Sequence, residues 1–281
     1  MIKITECPRD AMQGIEKFIP TSLKVKYINA LLKVGFDVID FGSFVSPKAI
    51  PQLKDTAEVL SRLDLSKSQT KLLAIVANER GAHEAGDFDQ IDILGFPFSV
   101  SEQFQINNTN KTREQSLETV KKMLRICEKS KKKLRVYLSM GFGNPYGEEY
   151  SPEIVLDWGA KLADLGVAEL ALSDTIGVSQ PSNIKPLFEL MHKELKTTEI
   201  SAHFHTCPHS WEAKILAASR AGCKSFDSTI KGIGGCPMAE DELVGNLATE
   251  KLLSFLEYEV NQSFDKTAFE EAMLLSKEVF G

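Results

Sequence analysis

Residues 201–209 read S-A-H-F-H-T-C-P-H and set three imidazoles and a thiol at every second position: His203, His205, Cys207 and His209. Imidazole nitrogens and thiolates are good ligands for divalent first-row metals. Side chains two apart in a strand share a face. Glu199, Ser201, His203 and His205 then lie on one side, with Ile200, Ala202 and Phe204 on the other. The apolar set faces a helical layer, and two histidines about 7 Å apart along the opposite face can chelate one ion. The alternative is a pair of interior histidines satisfied by protein partners. Pro208 and Ser210 read as the start of a helix, where Pro suits the first turn and Ser caps. The parity argument therefore stops at Thr206. A tetrahedral zinc site using all four residues would need strand geometry to run on through Pro208, so Cys207 and His209 are expected to turn away.

Two imidazoles leave an ion short of ligands, and a carboxylate is the natural partner. Asp10, in C-P-R-D-A-M-Q-G, is a candidate, with Arg9 beside it to stabilise developing negative charge. Alone, the same tripeptide also reads as a turn with a surface ion pair. Asn246 offers an amide oxygen to complete a nitrogen and oxygen shell. Such a shell, with open positions for substrate, suits Mg²⁺ or Mn²⁺ and tolerates Co²⁺ or Zn²⁺. The stretch K-G-I-G-G-C-P-M-A-E-D-E-L-V-G-N has the glycines of a movable flap but lacks the G-K-[ST] ending of a phosphate loop. Cys236 sits within it, and a thiol of ordinary pKa, about 8.5, keeps a proton to donate at neutral pH.

Eight apolar, β-branched runs alternate with segments of helical period along nearly the whole chain. Val25, Ile28 and Leu32, for example, form one stripe over residues 21–34. Eight such units of about 30 residues fit a (β/α)8 TIM barrel better than an open sheet. The barrel is expected over residues 1–260, with residues 261–281 a C-terminal helical extension packed on it. All strands of such a barrel end at one face, where the chemistry sits. Arg9 and Asp10 after strand 1, Asp40 at the end of strand 2, and Asp174 at the end of strand 6 should therefore meet His203, His205, Cys236 and Asn246 there. The basic run K-S-K-K-K-L-R precedes strand 5, which assigns it to the opposite face as a solvated helix end.

Of the 281 residues 43% are hydrophobic and 26% charged, the ordinary mixture of a globular chain. A net charge of −6 argues against nucleic acid as a partner. No apolar run is long enough for a membrane span, and the first residues offer no signal-peptide core. Five scattered cysteines do not make a disulfide framework, and a cytoplasmic setting is expected.

Together, P-R-D-A-M-Q-G, D-F-G-S-F-V-S-P-K-A-I-P-Q, L-S-D-T-I-G-V, H-F-H, and G-I-G-G-C-P with G-N-L-A-T-E resemble the 3-hydroxy-3-methylglutaryl-CoA lyases, within the metal-dependent barrel lyases and Claisen-type synthases. The resemblance spans nearly the whole chain and implies retro-Claisen cleavage of 3-hydroxy-3-methylglutaryl-CoA. It implies a divalent cation on Asp10, His203, His205 and Asn246, with Arg9 at the reacting carbonyl and Cys236 as acid/base group. It gives His203 a part in proton transfer and makes Asp40 and Asp174 supporting acids. The expected partner is an acyl-CoA, with Lys48 a candidate phosphate contact, and the assembly is left open to a homodimer. The family glutamate expected at position 5 is Thr5 here, followed by Glu6. The readings left beside the lyase are a synthase or aldolase acting on a 2-oxo acid, and a non-catalytic acyl-CoA-binding barrel.

Overall fold

The computed structural model describes residues 1–235, 244–260, 262 and 264–281. Its strands are β1 (Lys3–Glu6), β2 (Val38–Ser43), β3 (Lys71–Ile75), β4 (Ile93–Ser99), β5 (Lys133–Ser139), β6 (Glu169–Asp174), β7 (Glu199–Thr206), β8 (Ser225–Ser228) and β9 (Gly245–Asn246). The helices are α1 (Pro8–Gln13), α2 (Thr21–Val34), α3 (Thr56–Ser61), α4 (Glu79–Gly86), α5 (Glu102–Thr109), α6 (Arg113–Ser130), α7 (Pro152–Asp164), α8 (Pro181–Glu194), α9 (Trp211–Arg220), α10 (Thr249–Val260) and α11 (Lys266–Phe280).

Strands β1 to β8 pair in parallel with their sequence neighbours, and β8 returns to β1, so the sheet closes into a (β/α)8 barrel. The apolar stripe of α2 is buried as its spacing implies, and the helix ends at Gly35, whose φ of 88° is the left-handed cap that glycine adopts without strain. The large core lies between sheet and helices and takes in Ile200, Ala202 and Phe204 of β7. A smaller cluster of Leu73, Ile75, Ile93, Tyr137 and Ala171 fills part of the barrel interior. Helix α11 packs against α2, with the ring of Phe280 edge-on to Tyr27. No helix among the described residues is long and apolar enough to cross a membrane.

Three elements depart from the expected plan, and two of them shape the site. Arg9 and Asp10 lie in the short helix α1, with Pro8 at its start, and both are buried. The turn with a surface ion pair is thereby corrected. β9 runs antiparallel to β7 and pairs Asn246 with His205, which brings the end of the flap segment against the histidine strand. Helix α5, capped by Ser101, follows β4.

The basic run is a solvated helix end only in part: Lys129, Lys131 and Lys133 are exposed around the end of α6, but two basic members are not. Lys132 is buried and its Nζ donates to the carbonyls of Phe88 and Ile91, each at 2.7 Å. Arg135 is only 1% exposed and points into the barrel, because β5 alternation turns it towards acids on neighbouring strands. The run does sit at the N-terminal end of β5. There Lys133 and Arg135 help line a cavity of about 670 Å³ at the opposite end from the histidines.

Candidate metal and active site

Strand parity places His203 and His205 as the spacing implies. Both line a cavity of about 440 Å³ at the C-terminal ends of the strands, together with Arg9, Asp10, Gln13, Tyr137 and Gly235. Asp10, His203 and His205 each present one ligand atom, all within 4.8 Å of one another.

Each imidazole is held from behind through Nδ1. His205 Nδ1 lies 2.8 Å from the Thr175 carbonyl, which can only accept, so that nitrogen carries the proton and Nε2 keeps its lone pair. Burial, with the neighbouring His203 next, pushes the His205 pKa down to about 4, and the ring is neutral. His203 Nδ1 lies 3.0 Å from Asp227 Oδ2. Burial pulls the His203 pKa down, but the bond to Asp227 and its charge outweigh this and raise it. Asp10 Oδ1 accepts from Arg9 Nη1 at 2.9 Å and Gln13 Nε2 at 2.8 Å, while Oδ2 accepts from Asn246 Nδ2 at 2.7 Å. Burial works against ionisation of Asp10, yet Arg9, then His203 and the Asn246 bond, hold its carboxyl below the ordinary value.

This donor set fits a divalent cation. It combines an ionised carboxylate with two imidazoles, each offering Nε2 while Nδ1 is oriented by a carboxylate or a carbonyl. Asn246 is buried beside them, its amide spanning Asp10 and the Ile233 carbonyl at 3.0 Å. Gly234 makes this closeness feasible. At φ +93° it sits where a methyl group would come within 2.9 Å of both Asn246 Nδ2 and the Asp10 carbonyl oxygen.

Residues 2–275 of the chain match the HMGL-like family. The chain belongs to that family. The Bacillus subtilis hydroxymethylglutaryl-CoA lyase YngG is 34% identical over 252 residues, covering 89% of this chain and 83% of that protein. A crystal structure of a Bacillus subtilis HMG-CoA lyase superposes with a TM-score of 0.92 at 31% identity, covering 99% of this chain and 93% of that one. An Acinetobacter baumannii HMG-CoA lyase in complex with coenzyme A and 3-methylmalate superposes with a TM-score of 0.89 at 27% identity, covering 99% and 91%.

The remaining expected residues of this HMGL-like chain fall at different depths. Asp40 is fully buried behind Arg9, whose Nε and Nη2 both donate to Asp40 Oδ2 at 2.9 and 2.5 Å. Asp40 Oδ1 has no partner. Burial pushes this carboxyl up to about 6 against the opposing pull of Arg9. Asp174 does not line the cavity. Its oxygens accept from the Ser179 amide at 3.0 Å, the Ser179 hydroxyl at 2.6 Å and Lys214 Nζ at 2.7 Å, and the same Nζ donates to the His205 carbonyl at 2.8 Å. It braces β7 from outside the site. Lys48 is exposed, next to the cavity-lining Val45, Ala49 and Ile50. Cys236 lies outside the described residues. Cys207 and His209 are absent from the cavity, and His209 is exposed.

Two further residues belong to the site: Tyr137, which the sequence places late in strand 5, and Asp227, which it did not single out. Asp227 of β8 orients His203, and Tyr137 sets its ring edge-on to His203 with centroids 5.5 Å apart, its buried hydroxyl unpartnered.

Proposed function

We propose that this chain cleaves 3-hydroxy-3-methylglutaryl-CoA to acetoacetate and acetyl-CoA by a metal-dependent retro-Claisen reaction. The observation that carries this reading is the convergence of Asp10, His203 and His205 with Arg9 in one cavity of an HMGL-like barrel. Asp10, His203, His205 and Asn246 would hold the cation, and this mixed nitrogen and oxygen shell with open positions for substrate oxygens suits Mg²⁺ or Mn²⁺. Bound there, it would orient the substrate's hydroxyl and terminal carboxylate and lower the hydroxyl pKa.

Arg9 stabilises the oxyanion as the C2–C3 bond breaks and its electron pair passes into the acetyl-CoA enolate. Its guanidinium is pre-aimed by Asp40 on one side and by Asp10 and Gln13 on the other. Of the two candidate bases, His203 lines the cavity and Asp40 does not. His203 is therefore the better placed to take the hydroxyl proton in a form in which it does not ligate the cation, and Asp40 serves Arg9. With Nδ1 committed to Asp227, His203 acts towards the cavity through Nε2 and serves cation or proton one at a time. Cys236 returns a proton to the enolate carbon. Lys48 reaches for a phosphate of the CoA tail across the cavity rim.

The four described cysteines are unpaired, which suits a reducing compartment such as the cytoplasm. The deciding experiment incubates purified protein with 3-hydroxy-3-methylglutaryl-CoA and Mg²⁺ or Mn²⁺ and measures acetoacetate. Release supports the lyase. An inert substrate in the presence of bound metal would point to a synthase, aldolase or binding protein.

A further inference from the structure

Arg135 is a charged side chain near the axis of the barrel, 1% exposed, and the mechanism above does not use it. It ties five strands together. From β5 its Nη1 donates to Thr5 Oγ1 of β1 at 3.1 Å, and its Nη2 to Ser201 Oγ of β7 at 3.0 Å and Asp227 Oδ1 of β8 at 2.6 Å. Its Nε lies 3.1 Å from Glu169 Oε1 of β6, an ion pair without hydrogen-bond alignment. A guanidinium held on so many sides cannot rotate away from Asp227.

Asp227 in turn divides its two oxygens, Oδ1 to Arg135 and Oδ2 to His203 Nδ1. An ionised carboxylate only accepts hydrogen bonds, so a neutral His203 carries its proton on Nδ1 and presents the Nε2 lone pair to the cavity. The two imidazoles are thus supported unequally. His205 leans on a neutral carbonyl and His203 on a carboxylate, which makes its ring the more basic donor.

We infer that Arg135 and Asp227 act as a positioning couple that sets which nitrogen of His203 faces the cavity, and with it the affinity of the site for its divalent cation. This rests on the reading of His203 as a ligand. Neither residue touches substrate. Arg135 acts on Asp227, and Asp227 acts on His203.

Asp227→Asn is the discriminating variant. Arg135 still demands an acceptor, so the new amide keeps its oxygen towards Nη2 and turns its NH₂ towards His203. A donor facing Nδ1 drives the ring to the Nε2–H tautomer, which cannot ligate. Titration of the metal-free protein with Mn²⁺ should show affinity falling about 10- to 100-fold, the usual cost of removing such an orienting partner. Nitrogen-15 histidine NMR of the same sample should show His203 moving from the Nδ1–H to the Nε2–H form. Asp227→Glu keeps an acceptor and should bind Mn²⁺ more tightly than Asp227→Asn. Ser201→Ala removes one Arg135 bond but leaves the Asp227–His203 contact, and should bind like wild type.

Wild-type affinity in folded Asp227→Asn, or equal weakening in Ser201→Ala, overturns the couple. So does a wild-type spectrum showing His203 as Nε2–H, which needs no variant to fold. A His203→Ala protein that binds Mn²⁺ as tightly as wild type would instead remove the ligand reading itself, and the tautomer measurement separates that failure from this one.

Discussion

Arg9 directs two of its nitrogens, Nε and Nη2, at a single oxygen of Asp40, and the other oxygen of that carboxylate is buried without a partner. The pair is wholly inside the protein, with side-chain exposures of 8% and 0%. Asp40 therefore works on the orientation of Arg9, leaving the guanidinium's remaining edge for Asp10, Gln13 and, in the proposed reaction, the oxyanion.

Replacing Arg9 with Ala should lower kcat by about 100- to 1,000-fold, the usual effect of losing an oxyanion donor in a dry site. Asp40→Asn should reduce kcat by less, since Arg9 remains but is aimed less firmly. The measurement is steady-state acetoacetate release with metal and substrate saturating. An Arg9→Ala enzyme with kcat within about tenfold of wild type would remove Arg9 from the chemistry.

His209→Ala should leave metal content unchanged, and His205→Ala should abolish stoichiometric binding. His209 is exposed and belongs to the segment that follows β7, whereas His205 points its free nitrogen into the cavity. Elemental analysis of the two purified variants after dialysis against Mn²⁺ decides it. Metal loss in His209→Ala would restore the four-residue clamp that strand parity argues against.

The contrast between those two histidines shows how far the sequence could be read. Alternation is a local property, so H-F-H at a strand end declares its own face, and the eight-fold repeat then brings Asp10 and Asn246 to it from opposite ends of the chain. Elements shorter than two of their own periods do not declare themselves. The six residues of α1 and the two of β9 are too few to show periodicity, yet they bury Asp10 and align Asn246 with His205. Asp227 in S-F-D-S and Arg135 in K-L-R-V-Y-L-S were also missed. Their mid-strand positions were a signal, since a charge on the inward face of a barrel strand needs a partner of opposite sign inside.

Cys236 is placed by sequence alone, and its test is correspondingly direct. Cys236→Ser keeps a hydroxyl of much higher pKa in place of the thiol, and kcat should fall about 100-fold or more, the range expected for loss of a general acid. Mn²⁺ affinity should be unaltered, because Cys236 is not among the proposed ligands. The comparison of kcat with metal titration distinguishes an acid from a structural residue. Lost metal binding, or an unchanged kcat, would exclude the assigned role.

Glu6 occupies the position after Thr5 and faces away from the site's interior. Its Oε1 accepts from the Ile230 amide at 2.9 Å and its Oε2 from the Thr249 hydroxyl at 2.5 Å, fastening β1 to the segment that leads to Gly234 and to the start of α10. Burial pushes this carboxyl up to about 8, more than those two bonds lower it, from an ordinary 4.5. Between these values the folded protein holds a proton that the unfolded chain has released. Its contribution to stability is therefore complete below pH 4.5 and is lost as pH rises through 8. The slope from this one group approaches about 1.4 kcal/mol per pH unit within the window. Glu6→Gln keeps an acceptor for Ile230 and does not titrate, so its urea midpoint should decline less than that of wild type from pH 5 to 8. Parallel profiles for the two proteins would show that Glu6 is not the group that titrates. A steeper decline in wild type would identify Glu6 as the group that titrates.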